Sequence, residues 1–207
     1  MKDNIVIRRE TPADYAAVED LIREAFWNVY RPGCQEHYIA HVLRRDPDFV
    51  PELDLVMERS GELIGHILYM RASITADDGR EIPVMTFGPV SIRPDLQRQG
   101  LGKRLLDHSM EKAEELGAGA LCIEGNIAFY GKSGFVTAGT RGIRYQGEAE
   151  QGSAPYALLK ELRRGFLDGV TGIYHTPRGY DIDEHAAEAY DLRFPPKEKL
   201  RLPGQLF

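Results

Sequence analysis

Ile5 and Ile7 alternate with Val6 and Arg8 in a short strand pattern, and Thr11-Pro12 follows as a helix start. Threonine there supplies an N-cap oxygen, and proline at the first helical position gives up no needed N–H. Val18, Leu21, Ile22 and Ala25 then mark one helical face, and Tyr38, Ile39, Val42 and Leu43 mark a second, shorter helix. Leu53 to Arg59 and Leu63 to Ile74 are β-rich runs broken at Ser60-Gly61, and Asp77-Asp78-Gly79 makes a further turn before Ile82 to Ile92. These runs predict three consecutive antiparallel strands.

The period changes at Gly100. Leu101, Leu105, Leu106, Ser109, Ala113 and Leu116 recur at helical spacing, and Gly117 stands where a helix C-terminal glycine is expected. Ala118 to Ile123 is an apolar run of strand length, Asn126 to Ser133 a short helix or turn, and Gly134-Phe135-Val136 leads into another extended segment. A strand, helix, strand alternation implies parallel pairing of Val84 to Ile92 with Ala118 to Ile123 through the crossover helix. Gly147 to Ser153 reads as a loop, Tyr156 to Leu162 fits strand and helix templates alike, and Asp183 to Tyr190 reads as a capped short helix. The expected class is therefore α/β with a mixed sheet.

Composition narrows this picture. With 43% hydrophobic and 28% charged residues over 207 positions, the chain reads as an ordinary globular protein with one main domain. The N-terminus lacks the apolar stretch of a signal peptide, and no segment approaches the roughly 18 apolar residues of a membrane span, so a cytoplasmic protein without membrane contact is expected. Cys34 and Cys122 have neither metal-ligand nor disulfide-framework spacing. A formal charge of -6 argues against a nucleic-acid-binding face. Any anion site must be local, and Arg93, Arg98, Lys103 and Arg104 gather around two glycines with only Asp95 opposing them.

That segment, Val90-Ser91-Ile92 through Gln97-Arg98-Gln99-Gly100-Leu101-Gly102-Lys103, runs from a strand through a glycine-containing loop into the long helix. The first N–H groups of a helix have no internal acceptor and the dipole is positive there, which favours a phosphate or diphosphate. A Walker A loop would need glycine at Gln97 and a hydroxyl residue at Arg104, and the dinucleotide fingerprint would need a third glycine at Leu105; neither fits.

Gln97-x-x-Gly100-x-Gly102 on this strand-loop-helix resembles the acyl-CoA signature of the GNAT acetyltransferase superfamily. Asn126 to Phe135, with Tyr130-x-x-x-Gly134-Phe135, is similar to a second segment of the same family. The resemblance extends from Ile5 to about Tyr145, including Gly65-His66-Ile67 and Phe87-Gly88-Pro89-Val90, and looks closest to a bacterial branch of N-acetyltransferases predicted from sequence. It implies a central mixed, mostly antiparallel sheet flanked by helices, with residues 1–147 as the acetyltransferase core and 148–207 as an extension completing the same domain.

The resemblance further implies transfer of an acetyl group from acetyl-CoA, as co-substrate, directly to a primary amine. The backbone of Val90, Ser91 and Ile92 would pair with the pantetheine arm, and the amides of Gln97, Arg98, Gln99, Gly100, Leu101, Gly102 and Lys103 would hold the diphosphate. A bulge near Phe87-Gly88-Pro89 would splay the strand. Tyr130 would protonate the departing thiolate, with Asn126 and Phe129 lining the same site. The commoner pattern places an asparagine seven residues before the tyrosine, where Ile123 stands here. Glu124, at the end of an apolar strand, is the candidate general base, though water can serve. No metal is required.

His66 reads as a structural histidine, and His37 with His41 as a helix-surface pair without an evident acidic or cysteine partner. Cys122, among apolar neighbours, reads as a buried inert thiol. The region after Gly147 is expected to close the acceptor side or supply a homodimer contact. The competing reading is a CoA-binding regulatory module that does no chemistry, and the acceptor itself is not identified by the sequence.

Overall fold

The computed structural model describes residues 4–147 and 154–206. The elements follow in the order β1 (Ile5–Arg9), α1 (Tyr15–Phe26), α2 (Glu36–Leu43), β2 (Leu55–Arg59), β3 (Glu62–Ala76), β4 (Glu81–Ile92), α3 (Leu101–Glu115), β5 (Ala120–Glu124), α4 (Ile127–Tyr130), β6 (Val136–Thr137), β7 (Ile143–Tyr145), β8 (Ala157–Glu161), β9 (Gly172–His175) and α5 (Glu184–Asp191). They form two compact units, Met1–Leu68 with Gly88–Leu105 and Gly179–Phe207, and Tyr69–Phe87 with Leu106–Arg178. The chain of β3, β4 and α3 passes through both.

In the first unit β1 pairs antiparallel with β2 from Ile5↔Arg59 to Arg9↔Leu55, and β2 pairs antiparallel with β3 from Leu55↔Ile67 to Arg59↔Glu62. The β2–β3 turn places both Ser60 and Gly61 at positive φ, 54° and 86°. Two left-handed residues give the hairpin turn whose twist matches that of the strands. Val18, Leu21 and Ile22 of α1 and Leu43 of α2 are buried, as the apolar spacing requires, and α1 packs on α2.

One helix start differs from the sequence expectation. The Thr11 amide and hydroxyl both donate to the Asp14 carboxylate, at 2.8 and 2.7 Å, and Arg8 grips the same carboxylate at 2.8 and 2.9 Å. Thr11 therefore donates instead of capping, residues 12–14 form a turn, and α1 begins at Tyr15.

In the second unit β4 runs parallel to β5 at Met85↔Leu121, as the crossover predicted. β5 pairs antiparallel with β8 from Ala120↔Glu161 to Glu124↔Ala157, and β8 pairs antiparallel with β6. This double pairing decides the segment that fitted both templates: Ala157–Glu161 is a strand. β9 pairs antiparallel with β3 and parallel with β7. The sheet is thus mixed and mostly antiparallel, with Ile74, Val84, Ala120, Cys122, Leu159 and Tyr174 in its core.

β7 and β9 carry only three and four residues, too short for a period to register in sequence. Gly172 starts β9 because a Cβ there would lie 2.4 Å from the Thr75 carbonyl oxygen, so only glycine lets the strands approach. At the end of α3, Ala118 N–H bonds Ala113 O and Gly117 N–H bonds Glu114 O, each at 2.9 Å, with Gly117 at φ 94°, the termination the sequence predicted. Most of the loop expected at Gly147 to Ser153, residues 148–153, lies outside the described residues. Among the described residues no helix is long and apolar enough to cross a membrane.

Candidate active site

The glycine loop belongs to the first unit. Beyond Ile92 the chain makes one turn of 3-10 helix at Pro94–Leu96, whose Leu96 side chain is buried and anchors it. The Gln97 amide nitrogen Nε2 donates to Ile92 O at 3.1 Å, and Gln99 Nε2 donates to Asp95 O at 3.2 Å, so both glutamines brace the loop from below. Arg98 and Gly100 sit at φ 59° and 82°. A Cβ on Gly100 would meet nothing within 4 Å, so glycine is required here by the backbone conformation and not by crowding.

The Arg104 N–H bonds Gly100 O at 3.0 Å, closing the first turn of α3, and the amides of Leu101, Gly102 and Lys103 precede that bond. The first turn carries no acidic residue, and Gln97 to Gly100 and Lys103 are exposed. Arg93 is held by Asp95 at 2.8 Å and by Glu62 at 3.0 Å. The loop thus joins the positive end of a 15-residue helix to the basic residues Arg98 and Lys103 on an acidic protein, a combination that favours an anion.

Upstream, Gly88 has φ 145° and its carbonyl accepts a hydrogen bond from the Tyr180 hydroxyl at 2.8 Å, while Pro89 has no N–H to offer. The chain is thus irregular where a bulge was expected. Val90 is half-buried, and Ser91 and Ile92 are buried; Ser91 Oγ has no hydrogen-bond partner among the described residues.

The tyrosine segment belongs to the second unit. Glu124 closes β5 with its side chain exposed, and the Gly125 N–H extends the ladder by one bond, to Tyr156 O at 2.8 Å. Asn126 then caps α4, its Oδ1 accepting from Ala128 N–H at 2.8 Å. Asn126, expected to line the site, is thus exposed and also caps the helix. Tyr130 is half-buried among Phe129, Phe135 and Phe87, at centroid distances of 4.8, 5.7 and 5.8 Å. Phe129 is exposed, which removes it from the core.

The profile of the Acetyltransferase (GNAT) family matches residues 16–135, more than half of the chain. The chain belongs to the GNAT acetyltransferase family. Among individual proteins, YhbS of Escherichia coli K12, described as an uncharacterized N-acetyltransferase, is 24% identical over 173 residues, which covers 83% of this chain and 96% of YhbS. YjhQ of the same strain, described in the same words, is 29% identical over 142 residues, covering 68% of this chain and 72% of its own. The solved structure of E. coli YhbS in complex with CoA matches with a TM-score of 0.75 at 22% identity, covering 88% of this chain and 94% of that one. A GNAT family acetyltransferase from Brucella melitensis in complex with acetyl-CoA matches with a TM-score of 0.67 at 24% identity, covering 86% and 99%.

Within this GNAT chain two further titratable clusters lie in the first unit, and in them the buried His66 Nδ1 and His37 Nε2 make no hydrogen bond among the described residues. Ligand atoms of Glu10, Asp54 and His66 lie within 4.8 Å of one another. Arg44 donates to both Glu10 oxygens, at 2.9 and 2.8 Å. His66 Nε2 lies 2.9 Å from Asp54 Oδ1, and complete burial pushes its pKa down to about 4, in keeping with a structural histidine.

The histidine pair of α2 is not a surface pair. His37 is fully buried, with Nδ1 3.4 Å from Cys34 Sγ and Nε2 3.3 Å from Asp191 Oδ1; His41 Nδ1 meets Glu19 at 3.1 Å and the Tyr190 hydroxyl at 2.8 Å. Cys34 lies only three residues before His37, a nearby partner that the sequence reading passed over; the others, Glu19 on α1 and Tyr190 and Asp191 on α5, are 22 to about 150 residues away, beyond the reach of spacing rules. Burial, followed by Glu36 and Asp191, pushes the Cys34 thiol well above its usual range, and burial does the same to Cys122. Both thiols stay protonated and unreactive. Sequence reasoning also passed over Tyr69, whose hydroxyl pairs with Ser109 Oγ at 2.7 Å and whose ring meets Phe87 at 5.2 Å. A tyrosine inside an apolar strand run carries no signal of such a partner.

Proposed function

We propose that the chain transfers an acetyl group from acetyl-CoA to a primary amine in a ternary complex. The observation that carries this reading is the left-handed Arg98 and Gly100 backbone leading into the N-terminus of α3, on a chain of the GNAT family. The amides from Gln97 to Lys103 bind the diphosphate, and the backbone of Val90, Ser91 and Ile92 binds the pantetheine arm. The relatives solved with CoA and acetyl-CoA support the choice of ligand.

In the reaction the amine lone pair attacks the thioester carbonyl carbon; the C–N bond forms, the C–S bond breaks and the electron pair leaves on sulfur. Tyr130 gives its phenolic proton to that thiolate, a role a phenol fills at neutral pH because its ordinary pKa is about 10, and the tyrosinate regains a proton, through water, as the newly acylated nitrogen sheds its second N–H proton to become the neutral amide. The ammonium substrate sheds its proton to water or to Glu124, the carboxylate exposed at the end of β5.

Calorimetric titration with acetyl-CoA, paired with thiol release against a panel of amines, tests the reading. Binding together with release for at least one amine supports it. Failure to bind at saturating acetyl-CoA ends it, and tight binding without release for any amine points to a CoA-responsive module. Tyr130→Phe is expected to lower kcat about 10² to 10³-fold while acetyl-CoA affinity stays within about threefold.

A further inference from the structure

We infer that Gly125 is a positioning residue for Tyr130, acting by the absence of a side chain. This rests on the reading of Tyr130 as the acid. A Cβ built on Gly125 would lie 2.4 Å from Tyr130 Cε2 and 2.7 Å from Cδ2, so the edge of the tyrosine ring occupies the volume that any other residue would fill.

Both partners are held by their neighbours. The Gly125 amide is fixed to Tyr156 O at 2.8 Å, one step past the last β5–β8 pair, Glu124↔Ala157. One residue on, Asn126 is committed to the α4 cap. The ring is bounded by Phe87, Phe129 and Phe135, the last two set edge-on at 78° and 66°. Gly134, at φ 87°, turns the chain so that Phe135 comes back against the ring, and the Phe135 amide bonds Tyr130 O at 3.3 Å. A glycine at one side and three aromatic rings around the others therefore set the direction in which the phenol oxygen projects.

Carbon atoms in ordinary contact stand about 3.5 to 4 Å apart, so a methyl group at Gly125 must move the ring edge by about 1 Å. An error of that size in a reacting group costs on the order of 10²-fold in rate, because proton transfer requires hydrogen-bond distance. Gly125 has no positive φ to account for it, unlike Gly134, so its need for glycine comes from the ring alone.

The experiment is a double-mutant cycle on kcat for the best amine of the panel, with acetyl-CoA affinity measured by calorimetry on every variant to certify the fold. Gly125→Ala is expected to lower kcat about 10 to 100-fold with affinity within about threefold. In a Tyr130→Phe background the same substitution is expected to change kcat less than twofold, since the misplaced hydroxyl is already gone. The control is Gly119→Ala at the opposite end of β5, where a Cβ would meet the Phe166 ring at 2.3 Å. It is expected to lower the melting temperature yet hold kcat within twofold. An equal Gly125→Ala loss in the Tyr130→Phe background, or no loss in the wild-type background, overturns the inference. An active Tyr130→Phe overturns the reading beneath it instead. Should Gly125→Ala fail to bind acetyl-CoA, Gly125→Ala with Phe129→Ala, which opens the exposed wall of the ring, must recover binding, or the positioning role is rejected.

Discussion

Glu10 shows how one buried side chain sets a pH response. Burial first, and then the hydrogen bond it shares with Asp54, push its pKa up to about 8 from an ordinary 4.5, and burial also raises Asp54. Between these two pH values the folded protein holds a proton that the unfolded chain has released. Stability from this site therefore falls as pH rises from about 4.5 to 8 and is level above. Glu10→Gln cannot take up that proton. Urea unfolding of both proteins should show the variant gaining on the wild type by about 1.4 kcal/mol per pH unit between pH 5.5 and pH 7, with the slope fading as pH approaches 8, and a constant gap would refute the assignment. His37 and His66 act in the opposite sense: burial lowers each to about 4, so their contribution is present at neutral pH and lost as pH falls through the range from 6.5 to 4. Each of these residues is legible in the sequence as a type, but its pKa is a property of partners found only in the fold.

At the scale of an element, α3 is bounded by two glycines that look alike and do different work. Gly100 and Gly117 have φ values of 82° and 94°, and an added Cβ would meet nothing within 4 Å at either. Alanine at either position therefore costs only the left-handed strain, about 1 to 2 kcal/mol. Chemical denaturation should show similar losses for Gly100→Ala and Gly117→Ala. Calorimetry should separate them: Gly100→Ala weakens acetyl-CoA by about fivefold or more, while Gly117→Ala leaves it unchanged within twofold. Equal affinities would mean that the loop backbone holds no diphosphate. This helix and both of its ends were legible because 15 residues of regular spacing average over local exceptions. The start of α1 was not: Thr11 and Pro12 carry the right signature, yet Arg8 and Thr11 claim the Asp14 carboxylate and delay the helix to Tyr15.

At the scale of the whole molecule, contacts over long sequence separations decide what the last thirty or so residues do. Asp191 on α5 accepts from Arg23 on α1 at 2.6 and 3.2 Å, across 168 positions of sequence, and the Arg23 side chain is only 3% exposed. The guanidinium also lies 4.2 Å from the Trp27 ring. Asp191→Ala leaves that cation buried without its carboxylate, which should cost about 3 to 5 kcal/mol in urea unfolding. The double variant Arg23→Met with Asp191→Leu removes the charge along with the partner and should recover most of that loss. If the single variant costs under 1 kcal/mol, the pair is not what holds α5 to α1.

The sequence by itself determined the order of the long elements, the glycine loop before α3 and the tyrosine segment after β5, because periodicity, caps and turn glycines act over a few residues of contiguous chain. Only the tertiary structure decided that Ala157–Glu161 is a strand, that β7 and β9 exist, that His37 lies beside Asp191, and that His41 meets Glu19 and Tyr190. Those outcomes depend on hydrogen-bond ladders and close contacts between segments far apart in the chain, and a pattern confined to neighbouring residues carries no trace of which distant atoms will meet.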